Sequence, residues 1–191
     1  IVPGEGALPR LRYTTWLPHE LRQLGYRSVA INPPLIVDGK MSLPDLAFDH
    51  IEVGGFDQGG KNRGTTAKQV ADTAITVVER YEDEAPLFVW VHFMDPHAVH
   101  ESPVRFAVRD TLDAYDNELS WVDMHFNRLL AAIGRRYPEG ALIVVTADHG
   151  EAIGERGNYG HGFTLHEEEI HVPLVVFGPG IEPGRETDPV S

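Results

Sequence analysis

The sequence predicts an α/β fold in which a mostly parallel sheet carries helices on both faces. Two observations point to this class. Predicted helices and strands alternate along the chain, and the strongest strands are nearly unbroken apolar runs, which are typical of parallel strands covered on both faces. A chain of 191 residues is long enough for one domain with a buried core and too short for two ordinary ones, so residues 1–191 are taken as a single domain.

The first half of the chain contains two predicted helices, with a strand between them. Residues 14–25 form a helix with a threonine cap, an apolar stripe of leucines and a stop at Gly25. Residues 26–32 (YRSVAIN) follow as a strand, and residues 35–64 are predicted to be loop with at most a short strand. A second helix begins after a cap at Thr65 or Thr66 and runs to about residue 84. Its predicted inner face consists of Val70, Ala74, Val77, Val78 and Tyr81.

The second half continues the alternation. Residues 87–94 (LFVWVHFM) form a predicted buried strand, residues 110–136 a long helix, and residues 141–147 and 172–177 two more buried strands. The predicted apolar stripe of the long helix is Leu112, Tyr115, Leu119, Val122, Phe126, Leu129 and Ile133.

Composition narrows the possible functions. Sixteen Lys and Arg against 29 Asp and Glu give a net charge of −13, which is a poor balance for binding nucleic acid. The chain has no cysteine, which excludes disulfides and cysteine metal sites. No apolar run is long enough for a membrane span. The start at Ile1, without an initiator Met or the layout of a signal peptide, suggests an interior piece of a longer protein, so localisation is not predicted.

Polar clusters follow two of the predicted strands, at the edge of the sheet where α/β proteins bind ligands. The strand at 87–94 leads into Asp95-Pro96-His97, and the strand at 141–147 leads into Asp148-His149. A later loop holds His161 between two glycines, which leave that imidazole room to approach a ligand. Asp148 and His149 offer a hard oxygen and an imidazole, and Gly150 allows the turn that both need to reach one metal ion. Together the clusters predict a ligand-binding site, with Asp148 and His149 as candidate metal ligands.

Each of these residues also has a structural interpretation. Asp148 could cap a helix, and His97 could be a turn residue. His100 is interpreted as a surface or turn residue. Glu151, Glu155 and Asn158 are expected to shape the loop, and Asp116 and Asp123 to be structural. Glu167, Glu168 and Glu169 are expected to form a solvated face, with one of them capping or pairing with His171.

Four segments resemble the sulfatase family of the alkaline phosphatase superfamily. The most specific is VVTADHGEAIGERGNYGHGFTLHEEEIHVPLVVFGPG at 144–180, which is similar to the C-terminal signature of that family. The others are TWLPHELRQLGYRSVAINP, VWVHFMDPHAVH and AYDNELSWVDMHFNRLL. The resemblance covers most of the chain and is weakest at 35–62. It implies a partial alkaline-phosphatase-like fold and an incomplete catalytic domain.

The resemblance also implies roles for single residues. Asp148 and His149 would bind a divalent cation, with Ca²⁺ expected first and Mn²⁺ or Zn²⁺ as alternatives. His97 would contact the sulfate or phosphate group of a small anionic ester. His161 would contact that group or the leaving oxygen, and Asp95 would lie beside the substrate.

The nucleophile of the family has no counterpart in this chain. In sulfatases it is a Cys or Ser, converted to formylglycine, within Cys/Ser-X-Pro-X-Arg, and in phosphatase relatives it is an unmodified Ser or Thr. Ser102-Pro103-Val104-Arg105 is one residue short between Ser and Pro, and it follows the wrong strand. We therefore expect the intact parent protein to hydrolyse a sulfate ester and this chain to be inactive and to bind metal weakly.

Two other functions stay open on the sequence. A phosphatase, phosphonate hydrolase or phosphoethanolamine transferase of the same superfamily would use the same residues, because imidazole beside a carboxylate suits Mn²⁺ and Zn²⁺ as well. A non-catalytic binding or scaffold module would also lack the nucleophile. A scaffold, however, gains nothing from a cluster of costly polar groups at the strand ends.

Overall fold

The computed structural model describes residues 16–32, 48–53, 66–97 and 110–188. Within these ranges the elements run in the order α1 (Leu17–Gln23), β1 (Arg27–Asn32), β2 (His50–Val53), α2 (Ala67–Arg80), β3 (Leu87–Val91), α3 (Thr111–Arg136), β4 (Ile143–Thr146), β5 (Ala152–Ile153), β6 (Tyr159–Gly160), α4 (Glu167–Ile170) and β7 (Leu174–Phe177). A 3₁₀ turn, Glu155–Gly157, connects β5 to β6. This alternation of helices and strands confirms the α/β class.

β1 is the central strand of a three-stranded parallel sheet with the order β2-β1-β3. Successive side chains of a strand point to opposite faces, and β1 is buried on both. Val29 and Ile31 face the apolar core, and Ser28, Ala30 and Asn32 are buried on the other face. β2 is the short strand expected within residues 35–64, and its placement beside β1 extends the parallel sheet.

The apolar core lies between this sheet and the helices α2 and α3. Its buried members are Val29, Ile31, Val70, Ala74, Val78 and Leu129. Three of them come from the predicted inner face of α2, which the structure therefore confirms. Each fully buried valine, leucine or isoleucine contributes roughly 1.5–3 kcal/mol relative to its exposed state, so this core is the main source of stability for the first half of the chain.

The long helix α3 begins and ends as predicted, but its buried face differs from the predicted stripe. The Asp110 carboxylate accepts the Asp113 amide proton at 3.0 Å and caps the helix. Leu112 and Leu119 are exposed, whereas Glu118 and His125 are buried. The helix has 26 residues and is about 39 Å long, and its contributions to the apolar cluster, Leu129 and Ile133, both come from its second half. None of the helices in the described ranges is long and apolar enough to cross a membrane.

Helix α1 has the predicted end but not the predicted buried stripe. Gly25 adopts φ +88° just after the last helical turn and donates its amide proton to Arg22, as expected of a glycine stop. Leu17 and Leu24 are exposed rather than buried. The threonines proposed as the cap, Thr14 and Thr15, lie outside the described residues.

The last two predicted strands exist, but the structure corrects their burial and direction. β4 and β7 pair antiparallel, and all four residues of β7 are between 38% and 53% exposed. The segment between them contains only a small hairpin and a four-residue helix, with no crossover helix to return the chain to the start of β4. β7 therefore starts at the carboxyl end of β4 and runs back along it.

Candidate active site

A polar turn follows β4 and carries the two residues predicted to bind metal. The carboxylate of Asp148 accepts the His149 amide proton at 3.1 Å, and its Oδ1 lies 3.8 Å from His149 Nε2. The Asp148 side chain is 72% exposed, and that of His149 is 41% exposed. His149 Nδ1 lies 2.9 Å from the Gly150 carbonyl oxygen. If Nδ1 donates to this acceptor, Nε2 is the ring nitrogen left free to bind a cation.

Gly150 is needed for close approach between two backbone segments. Its amide donates to the Glu169 carbonyl oxygen at 2.8 Å. A Cβ atom at this position would lie 2.2 Å from the Glu168 carbonyl oxygen. The sequence predicted that Gly150 would supply freedom to turn, and the structure adds that this backbone lies directly against α4. The contact fixes the Asp148-His149 turn against the end of the loop that follows.

The hairpin formed by β5 and β6 places Glu151 opposite His161. Ala152 pairs with Gly160, so the residues on either side of this pair face each other across the base of the hairpin. Glu151 Oε2 lies 2.6 Å from His161 Nδ1, and the Glu151 side chain is only 8% exposed. Sequence analysis had given Glu151 a loop-shaping role, but its carboxylate lies within the site. The signal that could have found it is a carboxylate three residues after Asp148, in the same polar run.

Three histidine rings from different segments come together here. The rings of His149 and His161 stack with centroids 3.9 Å apart, and the edge of His97 meets His161 with centroids 5.5 Å apart. Gly160 and Gly162, on both sides of His161, adopt φ +91° and +81°, in the left-handed region that favours glycine. The predicted strand-end clusters therefore converge on one place, although β3 and β4 belong to different sheets.

Glu169 fixes the loop that carries His161. Its carboxylate accepts the amide protons of Gly162 at 2.8 Å, Phe163 at 3.2 Å and Thr164 at 3.3 Å, together with the Thr164 hydroxyl. The bond from Thr164 is the main cause of a lowered pKa for Glu169. Glu169 is buried, so the prediction that it is solvated was wrong. A buried carboxylate needs several donors, and the loop amides supply them.

The other two glutamates of this run have separate roles. Glu167 is exposed and lies 3.4 Å from His171, which is the predicted pairing. Glu168 forms an ion pair with Arg156, and this hydrogen bond lowers the pKa of its carboxyl. The loop between β5 and β6 is thereby attached to the start of α4.

The turn after β3 is held by Asp95, whose carboxylate binds the start of α2. It accepts the Thr66 amide proton at 3.0 Å and the Thr66 hydroxyl at 2.8 Å. Burial, opposed by these bonds, raises the pKa of Asp95. The Thr66 side chain therefore does not cap its own helix, and Thr65, the other predicted cap, lies outside the described residues. The predicted contact between Asp95 and a substrate stays a prediction. What the structure adds is that Asp95 holds the turn that carries His97.

His92 is a further residue near the site that sequence analysis did not single out. Burial lowers the pKa of its ring, which also lies close enough to Asp148 and His149 for their charges to act on it. Its amide donates to Ile31 at the end of β1. A histidine within the apolar run LFVWVHFM was the available signal, because a polar residue there needs a partner at the strand end.

Three side chains of the site could hold a metal ion together. One ligand atom from each of His149, Glu151 and His161 lies within 4.8 Å of the others. This set shares His149 with the predicted pair, leaves out Asp148, and adds Glu151 and His161. Two further residues from the sequence analysis, His100 and Ser102, lie outside the described residues.

Comparison with known proteins identifies the family. The Sulfatase family model matches residues 9–191, and the chain belongs to the sulfatase family. Among curated proteins it is 35% identical over 85 residues to the choline-sulfatase of Rhizobium meliloti, covering 44% of this chain and 16% of that protein. It is 33% identical over 79 residues to human iduronate 2-sulfatase, covering 41% of this chain and 14% of that protein.

Solved structures agree on the fold. A 2-O GAG sulfatase superposes with a TM-score of 0.65 at 15% identity, covering 90% of this chain and 48% of its own. The C-terminal periplasmic domain of EcEptC from Escherichia coli, in complex with Zn, gives a TM-score of 0.59 at 17% identity, covering 84% of this chain and 51% of its own. The chain thus spans about half the length of the solved structures that it matches. This likeness confirms the predicted partial alkaline-phosphatase-like fold.

Proposed function

We propose that the intact parent protein of this chain hydrolyses sulfate esters with the help of a divalent cation. The observation that carries the proposal is the convergence of His97, His149 and His161 beside the exposed carboxylate of Asp148. Membership of the sulfatase family supports the reaction class. A scaffold protein would have no need to gather several polar groups, each costly to desolvate, at one opening.

The residues present fit a divalent cation. Oε1 of Glu151 is buried and has no hydrogen-bond partner among the described residues, and a buried carboxylate oxygen is stabilised by a cation. Asp148 and His149 would hold the ion. A carboxylate oxygen of Glu151 lies within 4.8 Å of a ring nitrogen of His149 and of a ring nitrogen of His161. When bound, such an ion polarises the ester and offsets the charge that develops on its oxygens. The nitrogen donors favour Zn²⁺ or Mn²⁺, whereas Ca²⁺ prefers a shell made of oxygens.

His97 and His161 are proposed to bind the anionic group. An imidazolium carries an N–H on each ring nitrogen, so His161 in this form can donate from Nδ1 to Glu151 and from Nε2 to a sulfate oxygen. His97, in edge-to-face contact with it, offers a second donor over a short distance. Asp95 is proposed to lie beside the bound group and to act by holding the turn that carries His97. In this proposal, the exposed side of His161 faces the ester and its buried side faces Glu151.

We also propose that residues 1–191 alone do not turn over an ester. The chain has no cysteine and no Cys/Ser-X-Pro-X-Arg sequence, so the nucleophile of the reaction is not among its residues. Without a nucleophile, a well-formed binding site gives negligible hydrolysis. Residues 1–191 are accordingly proposed to be one incomplete catalytic domain.

Calorimetry on the 191-residue chain tests the cation site. Solutions of CaCl₂, MnCl₂ and ZnCl₂ are titrated into the wild type, into Asp148→Ala and into Asp116→Ala, which removes an exposed carboxylate from α3. We expect weak binding, lost in Asp148→Ala and kept in Asp116→Ala. A wild type that binds none of the three ions would reject the site. Equal loss in both variants would instead indicate nonspecific binding to acidic residues.

Release of 4-nitrophenol tests the proposal about turnover. The chain is incubated with 4-nitrophenyl sulfate and, separately, with 4-nitrophenyl phosphate, and neither is expected to be hydrolysed. Hydrolysis that disappears in Asp148→Ala would contradict the proposed inactivity of the chain. Hydrolysis of the phosphate alone would favour the phosphatase alternative over the sulfatase.

A further inference from the structure

The pair formed by Glu151 and His161 is built into the hairpin rather than formed by two mobile surface side chains. The pairing of Ala152 with Gly160 sets the two residues opposite each other at the base of β5 and β6. Gly154, in the turn of the hairpin, donates to the Asn158 carbonyl oxygen at 2.8 Å, which closes its other end. The 2.6 Å contact is therefore fixed by backbone register.

The surroundings of the pair limit how the His161 ring can turn. His149 stacks on it, and His97 meets it edge-on. An ionised carboxylate only accepts hydrogen bonds, so the nitrogen that faces Glu151 must carry a proton. Turning the ring over would put a carbon atom against Oε2. Both oxygens of this carboxylate would then lack a donor within the part of the chain that the structure describes, because Oε1 already has none there.

We propose that Glu151 is a positioning residue, whose carboxylate keeps a proton on Nδ1 of His161 and so presents Nε2 to the ester. One part of this inference, that Nε2 contacts the ester, rests on the proposed function. The other part, that Glu151 keeps a proton on Nδ1, does not. A carboxylate bound to the second nitrogen of a functional imidazole is a recurrent way to fix both the tautomer and the ring orientation. Glu151 acts through His161 and needs no contact of its own with the substrate.

The same chain provides a matched control in a second Glu and His pair. Glu167 lies 3.4 Å from His171, but both side chains are almost fully exposed, and neither belongs to the site. An exposed pair of this kind contributes little and restrains neither ring. Changes that affect His161 should therefore have no counterpart at His171.

Nitrogen-15 NMR of the histidine rings in the full 191-residue chain tests the proposal. In the wild type we expect His161 to carry its proton on Nδ1. Glu151→Gln keeps an acceptor oxygen and should retain this pattern, whereas Glu151→Leu should lose the Nδ1 proton signal. Glu167→Leu should leave His161 unchanged. A wild-type His161 whose only ring proton is on Nε2 would overturn the proposal without any variant, even if Glu151→Leu fails to fold. A pattern unchanged in folded Glu151→Leu would overturn it as well.

Sodium sulfate separates this inference from the proposed function. Added to the wild type, it should shift the Nε2 resonance of His161 and leave that of His171 in place. If the Nδ1 proton is present and sulfate has no effect, the positioning by Glu151 stands, and the proposed contact between His161 and the anion fails. If sulfate shifts Nε2 while Nδ1 carries no proton, the proposed function stands and the positioning role is rejected.

Discussion

β1 and β7 show that apolar content and burial are separate properties of a strand. β7 (Leu174–Phe177, LVVF) is the more apolar, yet every one of its residues is at least 38% exposed. β1 (Arg27–Asn32, RSVAIN) contains Ser and Asn, yet it is buried from Ser28 onward. The difference lies in what covers them. β1 has neighbouring strands on both sides and lies against α2 and α3, whereas β7 pairs only with β4 within the described residues.

The two regions are also stabilised by different interactions. On the face of β1 that carries Val29 and Ile31, the contacts are apolar and come from several elements, so stability there depends on buried area. Between β4 and β7 the contacts are hydrogen bonds to a few polar groups, above all the Glu169 carboxylate. The stability of the apolar region therefore falls when a substitution removes side-chain volume. The stability of the hydrogen-bonded region falls when a substitution removes a hydrogen-bond partner, when an added atom separates two backbone segments, or when the pH falls.

The largest effect is expected from Ile31→Ala in β1. Ile31 is fully buried in the apolar core, and the loss of its side chain removes buried area and leaves a cavity. We expect the free energy of unfolding to fall by about 2–5 kcal/mol, measured by urea denaturation. A change of less than about 1 kcal/mol would mean that the core can collapse around the site, which would weaken the contrast with β7.

Gly150→Ala tests the close approach of the loop to α4. The added Cβ would meet the Glu168 carbonyl oxygen at 2.2 Å, so the backbone has to move. We expect a destabilisation of about 1–3 kcal/mol and shifted NMR signals for His149 and His161. Gly134→Ala is the control, because no described residue outside the backbone of α3 itself comes within 4 Å of a Cβ at that position and alanine favours helix. Equal stability of the two variants would contradict the close approach.

Acid titration separates the polar loop from the apolar core. The native pKa of Glu169 lies below its unfolded value, so its stabilisation is complete above about pH 4.3 and is lost as pH falls through the native pKa. Between pH 7 and pH 3, we expect Glu169→Gln to lose less stability than the wild type. The exposed Glu167→Gln serves as the control and should follow the wild type. Parallel loss in the wild type and Glu169→Gln would refute the role of Glu169.

The smallest effect is expected from Val176→Ala in β7. Val176 is 39% exposed and valine is smaller than isoleucine, so the substitution removes less buried area than Ile31→Ala does. We expect a change in the free energy of unfolding within about 0.5 kcal/mol, measured beside Ile31→Ala under the same conditions. A loss as large as that of Ile31→Ala would mean that β7 is covered in solution.

The contrast between β1 and β7 also shows which features the sequence could predict and which it could not. Local patterns identified every long element and both strand-end clusters, because helical spacing and apolar runs are local properties. Burial of Glu118, Glu151 and Glu169 was not predicted, since it depends on which segments meet in three dimensions. Exposure of β7 was missed for the same reason. The convergence at His161 could be predicted because the sulfatase-like signature and the strand ends pointed to the same edge.

Paramagnetic NMR with Mn²⁺ tests the central claim, that three imidazoles from separate segments converge beside one cation site. The chain has ten histidines, so each ring outside the site is an internal control. At substoichiometric MnCl₂ we expect the signals of His97, His149 and His161 to broaden together, and those of His50 and His171 to stay sharp. Broadening spread over exposed histidines, with His97 or His161 unaffected, would contradict the account.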